Sequence, residues 1–236
     1  MGVLTFTLNL TLDGCVDHQE GIADDETHAF FTRLMDAAGA MLWGRVTYEM
    51  LESYWPAVAR GEREAPSAMR EWAVKLEAKP KYVVSSTRTD FPWTNSHHVA
   101  GDLREGVQQL KDATAAGVLL GSGKLATELD RLDLIDEYQL LVHPRIAGHG
   151  PTLYQGGLPD PRQLELLSAE PLRNGVLALH YRRALTLGVS ARSEGVSRPE
   201  HRRVAQRRQA AAASMSAGPL DPAIDPVMGR GPAGRG

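Results

Sequence analysis

What most constrains this chain is the order of its hydrophobic segments. As far as about residue 132, short apolar runs alternate with helical stripes; three strand-like segments then follow with no helix between them. VLTFTLNL alternates, placing Leu4, Phe6, Leu8 and Leu10 on one face and Thr5, Thr7 and Asn9 on the other, which predicts a strand. AMLW and GVLLG are apolar throughout, the pattern of strands covered on both faces. KYVVSS and HHVA are two further strands, and EYQLLVHP, LELLSAE and GVLALHYRR are the closing three.

The intervening segments carry the 3.6-residue period. Asp24, Asp25 and Glu26 put acid at a helix start, Phe30, Phe31, Leu34, Met35 and Ala38 form its apolar stripe, and Gly39 ends it. Further helices are predicted from Gly44 to about Leu51, over 67–78, over 102–115, and after Gly123 with Leu125, Leu129 and Leu132 inward. Parallel strands need a crossover, usually a helix, whereas antiparallel strands do not. The pattern therefore predicts an α/β fold whose sheet is mainly parallel with an antiparallel edge.

Composition bounds the rest. The single cysteine, Cys15, precludes an internal disulfide and suits a reducing compartment. There is no CxxC or HExxH spacing, so no metal is expected. No run approaches the ~18 apolar residues of a membrane helix, and the start lacks the basic region of a signal peptide; a cytoplasmic protein without a membrane partner is expected. The net charge of −3 is unevenly spread: from Thr186 onward there are 8 Arg, no Lys and 4 acidic residues, leaving 18 basic and 25 acidic residues before it. An acidic body argues against nucleic acid as the partner. Residues 188–236 are poor in large apolar side chains and rich in Gly, Pro, Arg and Ala, so a disordered tail is expected after a domain of residues 1–187.

Two turns carry the functional signal. In MLWGRVTYEM a strand feeds a helix through Gly44, and in VLLGSGKLATEL another does so through Gly121, Ser122 and Gly123. Such turns present backbone N–H groups and the positive end of a helix dipole to an anion. Arg45, Thr47 and Lys124 add charge and a hydroxyl, and Arg45 offers a planar fork to a phosphate. Together the turns could hold the two ends of one dinucleotide. A third turn, Ser85-Ser86-Thr87-Arg88, adds hydroxyls and a charge at another strand end; Arg45 with Ser86 would favour NADPH over NADH.

With these pieces in place, the chain resembles the dihydrofolate reductase superfamily, and more closely the family of the C-terminal reductase domain of bacterial riboflavin-biosynthesis enzymes. TLNLTLDGCV, MLWGRVTYEML with the nearby YWP, KYVVSST, VLLGSGKLATEL and LVHPRIAGHGPTLY carry the likeness, in the family's order. The resemblance implies a dihydrofolate-reductase-like fold, with an eight-stranded, mostly parallel sheet, an antiparallel C-terminal strand and flanking helices. It implies NADPH across the strand ends. Gly44, Arg45 and Thr47 would hold cofactor phosphate, Ser85, Ser86 and Thr87 would lie beside the 2′-phosphate, and Gly121, Ser122, Gly123, Lys124 and Leu125 would cover the pyrophosphate. The loop 13–25 would resemble a mobile lid, and a homodimer is expected. In folate reductases an acidic residue on the first helix binds the pteridine; an ungapped count back from Gly44 puts His28 there, and a one-turn slip brings in Asp24 or Asp25.

The family's chemistry is hydride transfer to a polar double bond. His28 is a candidate proton donor, and Asp13 could order the lid or bind a substrate amine. Asp25, Phe31, Tyr48 and Trp55 are candidates to bind and wall a flat heterocycle, either pteridine-like, a riboflavin precursor, or a natural-product imine. Two rival readings are a nucleotide-binding or ligand-sequestering protein that kept the fold without the chemistry, and a nucleic-acid-binding role for the Arg-rich tail.

Overall fold

The computed structural model describes residues 2–184, and Met1–Leu185 form one compact unit. The expected tail over 188–236 lies outside the described residues. Eight strands form one sheet in the order β4-β3-β2-β5-β1-β6-β8-β7. They are β1 (Leu4–Thr11), β2 (Ala40–Gly44), β3 (Lys81–Val84), β4 (Ser96–Val99), β5 (Val118–Leu120), β6 (Glu137–His143), β7 (Leu164–Pro171) and β8 (Leu177–Arg183). Every neighbouring pair from β4 to β6 is parallel, and β8 is antiparallel to both β6 and β7. The fold class expected from the sequence is therefore the one observed. The reversed strand lies one in from the edge, so the edge strand β7 runs in the same direction as the body of the sheet.

Among the described residues six α-helices accompany the sheet: α1 (Asp25–Ala37), α2 (Arg45–Glu52), α3 (Trp55–Ala59), α4 (Ser67–Ala78), α5 (Leu103–Ala113) and α6 (Gly123–Arg131). The alternation in β1 decides its two environments. Leu4 and Phe6 are fully buried against α5 and α6, in a core with Val107, Leu110, Leu125 and Leu129. Burying one such side chain contributes roughly 1.5–3 kcal/mol. Thr5, Thr7 and Asn9 alternate with them and so point to the opposite face. The central strands β2 and β5 are buried on both faces, as their uninterrupted apolar runs require.

α1 starts where its acids predict. The carboxylate of Asp24 accepts from Thr27 N at 2.9 Å and caps the helix. Its apolar stripe packs Phe30 on Leu141, Leu172, Val176 and Ala178, and Met35 into the cluster around Trp43. Helices therefore follow β1 and β5 on opposite faces of the sheet. Where connections from adjacent parallel strands diverge in this way, a crevice opens at their carboxyl ends.

Candidate active site

The two glycine turns meet in that crevice. Gly44 closes β2, and Gly121 and Ser122 follow β5. Ser122 is buried, and its hydroxyl accepts from Gly44 N at 3.0 Å and donates to Thr47 Oγ1 at 2.7 Å. One side chain therefore joins the two turns. The Gly44 N–H that was expected to face a phosphate is used inside the protein; the amides of the first turn of α2 and of Gly123, Lys124 and Leu125 in α6 remain as donors. Neither α2 nor α6 has a side-chain cap at its start, whereas α1 and α5 are capped by Asp24 and Asp102. Uncapped helix starts side by side can together bind an extended anion.

The glycines differ in why they are there. A Cβ on Gly121 would come within 3.1 Å of the Trp43 indole nitrogen, and Trp43 is buried and stacked on Trp93 at 5.9 Å. A Cβ on Gly44 would meet nothing nearer than Leu125 Cβ at 3.8 Å, and its backbone, at φ −78° and ψ 159°, is open to any residue. A Cβ at Gly121 would crowd Trp43, whereas one at Gly44 would make only ordinary van der Waals contact. Lys124 is exposed in the first turn of α6, while Leu125 packs inward.

At the third turn the Ser85 hydroxyl accepts from Thr87 N at 3.2 Å and Arg88 N at 2.8 Å, leaving Ser86 and Thr87 exposed. Arg45 donates to Glu49 at 2.7 Å, and Arg88 forms a fork with Glu52 at 2.9 and 3.1 Å. Arg45 uses only Nη1 in this pair, so guanidinium donors remain for a further anion.

A cleft of about 110 Å³ opens beside the carboxyl end of β1. Asn9 of β1 lines it, with Thr27, His28 and Phe31 of α1 and His18, Gly21, Ile22 and Ala23 from the segment before that helix. His28 and Phe31, both candidates from the sequence, line this common cleft. Three other residues expected to touch substrate lie elsewhere. Tyr48 is fully buried between Trp43, Phe91 and Trp93, and its hydroxyl accepts from Trp93 N at 3.1 Å; burial raises its pKa. Trp55 packs on Trp72 at 4.3 Å, away from the cleft. Asp25 is exposed and does not line the cleft, because the capping role of Asp24 turns it outward on the first turn.

Asp13 is engaged within the protein and does not line the cleft. Its carboxylate accepts from the Thr11 hydroxyl, from Gly148 N at 2.8 Å and from Ala147 N at 3.1 Å. These bonds, the Thr11 hydroxyl first, hold its pKa down to about 2, so the group stays ionised and braces two loops. The start of the loop 13–25, expected to resemble a mobile lid, is hydrogen-bonded to a partner loop. Leu12 N, Val16 N and Leu153 N bond to Arg145 O, Pro151 O and Gly14 O at 2.8, 2.9 and 3.1 Å, tying residues 12–16 to 145–153. Gly148 and Gly150 adopt positive φ in that partner loop.

Sequence reasoning missed His143, the last residue of β6. It is fully buried beneath the cleft: Ile22 N donates to its Nδ1 at 3.0 Å, and its Nε2 lies 2.9 Å from Asn9 Oδ1. Burial first, then the charge of Arg145, lowers its pKa. The available signal was a histidine closing a strand. Among the described residues no cluster of three His, Cys, Asp or Glu side chains could hold a metal, and no helix is long and apolar enough to cross a membrane.

Residues 3–178 match the family model of the RibD C-terminal domain. The chain belongs to that family. Its relatives include the uncharacterized protein YyaP of Bacillus subtilis (strain 168), 26% identical over 181 residues that span 74% of this chain and 91% of YyaP. A Shewanella sp. PV-4 protein provisionally assigned to riboflavin biosynthesis has a crystal structure with TM-score 0.59 and 20% identity, covering 78% of this chain and 99% of that one. The diaminohydroxyphosphoribosylaminopyrimidine deaminase/5-amino-6-(5-phosphoribosylamino)uracil reductase of Thermotoga maritima has TM-score 0.55 and 18% identity, and covers 78% of this chain and 57% of its own. These structures share the fold of the RibD C-terminal domain described here.

Proposed function

We propose that this RibD C-terminal domain protein is an NADPH-dependent reductase that transfers a hydride to a C=N or C=O bond of a small planar heterocycle. The observation that carries the reading is the pair of uncapped helix starts joined through Ser122, lying on the sheet edge that also bears the His28 cleft. The reductase named among the related structures is consistent with it.

The residues fit a dinucleotide. The side-chain-free Gly44, the helix-start amides, Lys124 and the unused guanidinium donors of Arg45 would hold phosphate, and Arg45 with Ser86 would favour the 2′-phosphate. When bound, the cofactor supplies the hydride. Phe31 would lie along a flat ring, the cleft would fix its orientation, and His28 would give a proton to the nitrogen or oxygen of the reduced bond. The imidazole then regains its proton from water at the cleft mouth.

The test is NADPH consumption against a panel of oxo- and imino-heterocycles. Turnover is expected, and His28→Gln should lower kcat by about 10²–10⁴-fold while leaving NADPH affinity unchanged. Turnover that is indifferent to His28→Gln would remove the proton-donor role. NADPH binding without turnover on any compound would favour a ligand-sequestering protein of the same fold.

A further inference from the structure

The buried pair beneath the cleft has a consequence for what the cleft can accept. Ile22 N–H can only donate, so His143 Nδ1 must accept and carries no proton. An imidazolium, with a proton on each nitrogen, would oppose that N–H; the ring is therefore neutral, with its proton on Nε2. Nε2–H then donates to Asn9 across 2.9 Å, which requires the amide oxygen to face the histidine. The other half of the amide, Nδ2 with two N–H groups, has no protein partner among the described residues. Asn9 lines the cleft, so these donors are what it offers there.

No carboxylate offsets them. Among the described residues lining the cleft there is no Asp or Glu. Of the carboxylates that flank the lining, Asp24 has one oxygen on Thr27 N at 2.9 Å and the other on Asn174 Nδ2 at 2.8 Å, and Glu20 accepts from Arg145 Nη1 at 2.9 Å. A donor amide without an acid beside it complements an oxygen acceptor and opposes a donor-bearing edge. We propose that Asn9, held in one orientation by Ile22 through His143, selects substrates that present a carbonyl or oxyanion oxygen to the cleft and rejects those that present an amidine or aminopyrimidine edge. This rests on the cleft being the substrate site of the reductase proposed above.

The probes are uracil, which presents carbonyl oxygens, and 2,4-diaminopyrimidine, which presents amino groups, titrated into the full chain with NADPH present. The wild type should bind uracil about 10–100-fold more tightly, the span of one satisfied against one unsatisfied hydrogen bond. Asn9→Asp should reverse the order, because its carboxylate accepts from His143 and still offers an oxygen to the cleft. A second measurement needs no variant: nitrogen NMR of the wild type should show an unprotonated His143 Nδ1, and the Asn9 side-chain amide should shift when uracil is added. A protonated Nδ1, an unmoved Asn9 amide, tighter binding of diaminopyrimidine, or binding of neither probe would overturn the proposal. If NADPH still binds in those samples, the reductase reading survives that failure; if NADPH itself does not bind, the reductase reading is what has failed.

Discussion

Asp130→Ala is expected to remove about 3–5 kcal/mol of folding stability, because it leaves a buried charge without its partner. Asp130 is fully buried on α6. Its carboxylate accepts from Arg183 Nη2 at 2.6 Å, Tyr138 Oη at 2.7 Å and Tyr154 Oη at 2.5 Å, and its carbonyl accepts from Arg162 at 2.7 Å. Burial, more than the neighbouring carboxylate, raises the pKa of both tyrosines, so they remain donors throughout the neutral range. The cluster ties β6, β8 and the residues before β7 to the helix whose other end carries the Gly121–Leu125 turn. Without the carboxylate, Arg183 keeps the exposed Asp133 at 3.1 Å and a long contact with Tyr138 Oη at 3.5 Å. For a domain of this size, that loss corresponds to a melting temperature lower by roughly 6–20 °C. Asp130→Asn keeps an acceptor and loses the charge, so its cost should be smaller. Urea denaturation measures both; a loss under about 1 kcal/mol for the alanine variant would mean that the cluster is solvated.

Gly44→Val should separate folding from binding. The backbone at Gly44 is extended and a Cβ there would make only ordinary contacts, with Leu125 and Ser122, so the variant should melt close to the wild type. NADPH affinity should nevertheless fall on the order of 100-fold, about 2.8 kcal/mol, because the side chain would occupy the space a phosphate needs. Gly121→Val is the contrast: its side chain would press on Trp43, and stability itself should fall. Calorimetry beside a binding titration distinguishes the two. Unchanged NADPH affinity in a folded Gly44→Val protein would show that the turn has no part in cofactor binding.

Much of the fold was legible because local periodicity reports burial. The alternation of VLTFTLNL and the unbroken apolar runs of AMLW and GVLLG identified a half-polar strand and two covered ones, and all three lie centrally in the sheet. The insertion of β5 between β2 and β1 was not legible, since strand order depends on contacts between distant residues. The same limit explains the site. His28 and Phe31 share a helix face and could be paired by spacing alone. Tyr48 and Trp55 were read as ring-binding walls because they are aromatic and close to Gly44, yet which face of a short helix meets the sheet is a tertiary fact, and theirs meet Phe91, Trp93 and Trp72. Asp13 is braced by amides 134 and 135 residues away, which no local pattern reveals. Asn9 was visible as a polar residue in a central strand, but its partner His143 lies 134 residues on, and only the pairing of β1 with β6 joins them.

The central claim is that the paired glycine turns hold NADPH, and fluorescence titration tests it most directly. Trp43 is buried beside Gly44 and against Gly121, so its emission should respond to occupancy of the turns. Wild-type protein and Arg45→Ala would each be titrated with NADPH and with NADH. Saturable NADPH binding that weakens about 10–100-fold in Arg45→Ala, with a smaller change for NADH, is the expected result. Absence of binding to either nucleotide by the folded wild type would contradict the proposed cofactor site and, with it, the reductase reading.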